Sequence, residues 1–220
     1  MPIVRELAPT LLRVALLALL ATAVLGVSRV PHRWAPLLAI LRGAAQLAVI
    51  SVVLSGVITS PVWVALALLV MFSVAAATAT HRIGWSLDHG TMMAVGMATG
   101  VIVTFAIVFT TGAIDFTARY ALAIGGIVIG NSMSIATLAG RRFVEAVDDH
   151  WDEVEGWLAL GATPRQSTLE RARGAVYAAL IPSVDQTKTT GLVTLPGAFV
   201  GAIFGGVSPL EAGRFQVVVL

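Results

Sequence analysis

Between Gly43 and Thr80 the chain carries no formally charged side chain, and most of its residues there are aliphatic, small or aromatic. A helix that crosses the hydrocarbon of a bilayer needs about 20 mostly apolar residues. This stretch is too long for one such helix and too apolar for a surface in water. Thr59-Ser60-Pro61 divides it, because proline lacks the helix donor and serine and threonine favour turns and caps. Two membrane-spanning helices over 43–58 and 62–80, joined as a hairpin, follow from that division.

The same logic covers most of the chain. Leu7–Ser28 holds only Arg13 as a charge, and Gly90–Ile114, Tyr120–Gly140 and Thr189–Leu210 are further apolar runs. Phe215–Leu220 opens another, which reads as a seventh span cut short. The composition agrees: 57% of residues are apolar, 12% are charged and the mean hydropathy is +0.90. A soluble domain carries about 25% charged residues. The expected fold is therefore all-α: a polytopic membrane helix bundle over 1–220, with six spans plus the start of a truncated seventh. Arg5 and Arg13 before an apolar run, with Ala21-Thr22-Ala23 after it, have the form of a cleaved signal. Repeated spans downstream make a retained first helix the simpler reading. The chain has no cysteine, which excludes disulfides, thiolate metal sites and cysteine nucleophiles. A net charge of +2 without any basic tract gives no reason to expect nucleic acid as a partner.

Arginine and lysine concentrate in cytoplasmic loops. One set of loops and span ends holds Arg29, Arg33, Arg42, Arg82, Arg141, Arg142, Arg165, Arg171 and Arg173; the other holds Arg5, Arg13, Arg119 and Arg214. The first side is expected to be cytoplasmic, which leaves the N-terminus outside. Within the spans, Gly96/Gly100, Gly126/Gly130, Gly197/Gly201 and Gly201/Gly205 are small residues one turn apart, a spacing that lets helices approach closely. They suit packing within one chain or an interface between chains. Gln46 and Asn131 are polar at membrane depth and suit bonds to neighbouring helices.

Segment 141–173 is the one substantial hydrophilic element. Val144, Val147, Trp151, Val154 and Leu158 form an apolar stripe over 144–160, opposite Glu145, Asp148, Asp149, Asp152 and Glu155. That predicts one helix ended by Gly161. Thr163 as N-cap and Pro164 in the first turn start the next. The carboxylates with His150 are hard ligands in kind, yet an exposed acidic helix face is ordinarily just solvated. No P-loop exists: Lys188-Thr189 is the sole Lys-Thr pair, and Thr187 stands where the motif needs glycine. Hydrolysis of ATP would have to come from another chain.

Asp185 and Lys188, the chain's sole lysine, lie one turn apart in the otherwise apolar run 174–206. Such groups are costly beside lipid, so they pair, line a cavity or touch a substrate. Two readings stay open. Asp185, with Asn131, Met133 and Lys188, lines a translocation path in which the Asp185 carboxylate meets a hard metal ion. Alternatively the pair fixes the cytoplasmic entry of the sixth span.

Glu155-Gly-Trp157-Leu-Ala-Leu160-Gly161-Ala162-Thr163-Pro164 resembles the coupling motif of ABC importer permeases, a Glu followed six residues later by Gly-Ala. It departs from that pattern at Gly156 and Trp157, which replace alanines, and in the later position of Ile181-Pro182. Together with Arg42-Gly-Ala-Ala-Gln46-Leu47, Gly130-Asn131-Ser132-Met133, Ala179-Leu-Ile-Pro-Ser-Val-Asp185, Lys188-Thr189 and Gly191-Leu-Val-Thr-Leu-Pro-Gly197, it resembles the FetB-like family of ABC-transporter permeases, whose plant relatives are linked to aluminium tolerance. The resemblance implies a permease without an ATPase site of its own, working in metal homeostasis as an iron or other metal exporter in the bacterial inner membrane. It implies a homodimer of permease subunits and a separate, FetA-like ATP-binding subunit that holds ATP and Mg²⁺. It places the contact with that subunit at Glu155, Trp157 and Leu160 to Pro164. An ion-coupled secondary transporter and a non-transporting membrane scaffold are the alternatives.

Overall fold

The computed structural model describes the backbone at residues 2–29, 31–57 and 60–220, and the side chains at 13–29, 31–51 and 60–220. It is all-helical apart from turns and one isolated bridge between Thr190 and Thr194. The chain divides into two compact units at residues 57 and 58. In the first, α1 (Pro2–Val27) and α2 (Ala35–Val57) pack as a hairpin. Its turn places Arg29 and His32 at positive φ, and the Arg33 guanidinium stands 5.8 Å from the centre of the Trp34 ring. The division expected at 59–61 stands as a helix start at Pro61 with Ser60 as N-cap; Thr59 lies outside the described residues.

The second unit is built on α3 (Pro61–Ile83), α4 (Leu87–Thr110) and α5 (Ala118–Asp149). These three are long and apolar enough to cross a membrane. Their mutual core is Ala75, Ala76, Ala79, Met93, Met97 and Ile129, with Met71, Ile83 and Met133 packed around it. Half of that core is alanine, all of it on α3, because lipid tails supply no hydrophobic drive between helices and close van der Waals fit must hold them. Leu66, Leu69, Val70, Val95, Ile102 and Ile107 point outward and are exposed. That inside-out pattern suits a bilayer as solvent. A second cluster joins Val108, Ile114 and Ile124 to Phe105, Phe109, Phe215 and Val218.

Two expected elements differ. The helix of span five does not stop at Gly140; it continues to Asp149, and the helix expected over 144–160 is split at His150. Asp148 and Asp149 crowd carboxylates onto the negative end of α5, where the helix dipole disfavours them. After the break, Asp152 and Glu153 fall in the first turn of α6 (Trp151–Ala159), where the same charges are favourable. The single helix expected over Thr189–Leu210 is also interrupted. α7 (Pro164–Thr189) ends where span six was to begin, a turn follows, and α8 (Gly197–Phe204) and α9 (Pro209–Val219) form a short hairpin. Gly191 at φ +87° and Gly206 at φ +88° take left-handed conformations that make these turns possible. The new apolar run expected from Phe215 is already helical at Pro209.

α7 is one continuous helix from Pro164 to Thr189, with Pro182 inside it, and it packs along α5. Residues 174–184 are therefore the middle of a long helix and not a lead-in to span six.

Candidate functional site

The α6–α7 connection is built almost wholly from backbone capping. Gly161, at φ +89°, donates its N–H to Leu158 O at 3.0 Å, and Ala162 donates to Trp157 O at 3.0 Å. This paired pattern is the Schellman motif, which satisfies the last carbonyls of a helix. Two residues on, Thr163 Oγ1 accepts from Gln166 N at 3.3 Å, while Thr163 N donates to Gln166 Oε1 at 2.8 Å. That is a capping box, with Pro164 in the first turn. Both helix ends expected here are thus present. Arg171 on α7 also pairs with Glu153 on α6.

The rigid turn displays apolar groups to the outside. Trp157 is 53% exposed and Leu160 83% exposed. With Gly161, Ala162, Glu153, Gln166, Ser167, Glu170 and Arg171 they line an open groove of about 400 Å³. Glu155, Thr163 and Pro164 are exposed but do not line it. Of the residues singled out for coupling, the structure gathers four in the groove and uses Thr163 and Pro164 to fix its shape.

The residues singled out for a path do not form one cluster. Asn131 lines a cavity of about 260 Å³ with Thr104, Ser132, Ser183 and the end of α9, Val218 to Leu220. Met133, two positions on and so across the helix, packs against the α3–α4–α5 core. Lys188 Nζ and Asp185 Oδ1 are 3.3 Å apart, with side chains 70% and 61% exposed. Neither lines the Asn131 cavity. Because Ser183 does share it with Asn131 and Ser132, α7 returns along α5 to the middle of that helix. Asp185 and Lys188 follow Ser183 by two and five residues on α7, beyond that cavity. Among the described residues, no group of three or more His, Asp or Glu is placed to hold a metal ion.

The glycines separate as well. At Gly126 an added Cβ would stand 3.2 Å from the Met71 side chain, but Gly130, Gly197 and Gly201 have open space there. The closest approaches are instead at Gly125, where a Cβ would collide with Leu68, and at Gly140, where it would collide with Ile83. Small-xxx-small spacing marks which glycines share a face but not which face meets α3. Sequence reasoning gave no site role to Ser183 or to Arg171, which it counted only among the cytoplasmic arginines.

The chain matches the model of the family described as "Uncharacterised protein family (UPF0014)" over residues 9–220. It belongs to that family. This UPF0014 chain is 40% identical over 186 residues to "UPF0014 membrane protein STAR2" of rice, covering 84% of the chain and 65% of that protein. It is 37% identical over 182 residues to "Protein ALUMINUM SENSITIVE 3" of Arabidopsis thaliana, covering 81% and 66%. Over 125 residues it is 35% identical to "Probable iron export permease protein FetB" of Escherichia coli, covering 57% of the chain and 48% of that protein. The chain thus spans just under two thirds of the length of its plant relatives. No solved structure matches it. Relatives named as membrane proteins and the three long apolar helices agree: this is a multi-pass membrane protein.

Proposed function

We propose that this UPF0014 chain is the membrane-spanning permease subunit of an ABC transporter, which exports iron or another metal with ATP hydrolysed by a separate subunit. In this reading the long apolar helices cross the bacterial inner membrane and the turn between α6 and α7 lies in the cytoplasm. The observation that carries it is that hairpin: a turn locked by a Schellman motif and a capping box, presenting Trp157 and Leu160 to solvent. A stiff, apolar-tipped projection suits a groove on an ATP-binding partner. The relationship to the probable iron export permease supports both the class and the cargo.

α7 supplies the mechanical link. Its first residue adjoins the docking turn and its last turn holds Asp185 and Lys188, so one helix joins the proposed ATPase contact to the middle of the membrane. At 1.5 Å per residue it is about 39 Å long. Closure of the ATPase would move that helix against α5 and alter the polar cavity at Asn131, Ser132 and Ser183. Asp185 is proposed to lie on the path of the ion.

Affinity purification of the chain from its native membrane tests this. A P-loop ATPase should copurify in stoichiometric amount, and the double variant Trp157→Ala, Leu160→Ala should weaken that association by about 30-fold or more, as loss of an aromatic anchor does. Copurification unaffected by the double variant would reject the hairpin as the docking element. Deletion of the gene should raise cell iron, or another metal, under metal load; Asp185→Asn should reproduce that rise if the carboxylate lies on the path.

A further inference from the structure

The turn between α1 and α2 gathers positive charge, and its own unit holds almost nothing to balance it. Arg29, His32, Arg33 and Trp34 line, with Gly26, an open hollow of about 500 Å³. Between Glu6 and Asp88 the sequence has no acidic residue. Asp88 belongs to the second unit. Glu6, the one acid of the first, lies in the opening turns of α1, about 30 Å along that helix from the turn. Arg29 and Arg33 therefore meet no carboxylate within the hairpin that carries them.

The backbone is shaped for this gathering. Arg29 at φ +53° and His32 at φ +61° take the left-handed conformation that residues with a side chain rarely adopt. Two such residues in one short turn bring the side chains of 29, 32 and 33 round a single hollow. Arg33 is oriented as well. Its guanidinium stands 5.8 Å from the centre of the Trp34 ring, and its side chain comes within 3.8 Å of where a Cβ on Gly26 would be. Stacking on an aromatic ring uses the face of the guanidinium and leaves its in-plane N–H donors for an acceptor.

Two guanidinium forks without a carboxylate suit a phosphate, whose oxygens accept their paired N–H bonds. The flanks of the hollow decide which phosphate. Val24 and Val27 at the end of α1, and Leu38 and Leu41 in the first turns of α2, are all more than half exposed. A soluble phosphate gains nothing from apolar flanks, whereas a phospholipid has acyl chains to lay on them. Trp34, half exposed beside the arginines, is of the residue type that settles at headgroup level. We propose that the α1–α2 turn seats the headgroup phosphate of an anionic phospholipid, held by Arg29 and Arg33 with His32 beside them. This goes beyond the permease reading and rests only on the chain's membrane character, so it stands or falls without the ATPase.

The test titrates the purified full chain, in detergent micelles, with phosphatidylglycerol. Its melting temperature should rise, as binding to the folded state alone requires. Phosphatidylcholine and inorganic phosphate at the same concentration should leave it unchanged. A matching rise with inorganic phosphate would put a soluble anion in the hollow; a matching rise with phosphatidylcholine, or no rise at all, would remove the anion site. Each of these overturns the assignment. The double variant Arg29→Gln, Arg33→Gln should need at least about tenfold more phosphatidylglycerol for the same rise, since each arginine near an anionic headgroup adds to the attraction. Arg119→Gln, Arg214→Gln removes the same charge elsewhere and should titrate like the parent chain. Equal losses in the two double variants would reduce the effect to net charge and overturn the seat. If the first variant fails to fold, the parent chain still decides. Phosphatidylglycerol with a photoreactive group beside its phosphate should label residues 24–41, and label spread evenly over the helices would reject the proposal.

Discussion

The α3–α4–α5 bundle and the α6–α7 hairpin are held together by different physics. In the bundle, Ala75, Ala76 and Ala79 on α3 and Gly125 and Gly140 on α5 let helices come close, and almost no side-chain hydrogen bond crosses between them. In the hairpin the helices meet little, and the order comes from backbone caps and the Arg171–Glu153 pair. The first kind of order tolerates no added volume but needs no particular chemistry. The second tolerates volume but depends on individual donors and acceptors. A helix bundle in a bilayer and an exposed hairpin call for those two solutions respectively.

The contrast is sharpest at Gly125. Gly125→Val would drive a branched side chain into Leu68 and Phe105, and overpacking of this kind costs about 3 kcal/mol. Thermal unfolding in detergent should show the loss, whereas Gly197→Ala, with open space at its Cβ, should leave the melting point unchanged or slightly raised. Equal effects at the two glycines would erase the distinction between packed and unpacked faces. Thr163→Ala removes the N-cap of α7 and should cost about 1 kcal/mol. Its signature is local: faster amide exchange at the start of α7 and weaker partner binding, without change in the α3–α5 core. Arg171→Ala should have the smallest effect, about 0.5 kcal/mol, because Glu153 is half exposed and water takes over much of the pairing. A loss larger than that of Thr163→Ala would mean the hairpin is held by its ion pair and not by its caps.

Part of this contrast can be read from the residues alone. The charge-free run before Thr80 leaves little choice but membrane helices, and α3 and α4 lie close to their expected bounds. Gly161 and Thr163-Pro164 announce the hairpin because each has a specific backbone task there. Hydropathy is silent about the break between α7 and α8, since Thr190 to Pro196 is nearly as apolar as a helix would be. The cue was the pairing of Thr190-Gly191 with Leu195-Pro196-Gly197, turn chemistry inside an apolar run. Gly140-Arg141-Arg142 looks like a membrane exit, and it does not end the helix, because arginine is a good helix former and Arg142 bonds Glu145 one turn on at 3.2 Å. Which face of α5 meets α3 depends on helix rotation, and glycine spacing does not encode it. The same is true of Asn131 and Met133: two positions apart in the chain, they point to opposite sides of one helix.

Pro182 gives α7 uneven mechanical properties. Lacking an N–H, it leaves the Ala178 carbonyl without its usual helix donor, so the rod is most compliant about two-thirds of the way along. A displacement imposed at the Thr163 end would be carried faithfully as far as Ala179, which is wedged against α5, and then expressed as flexure. The element beyond that joint would swing through an angle, carrying Asp185 and Lys188 sideways with little sliding along the helix axis.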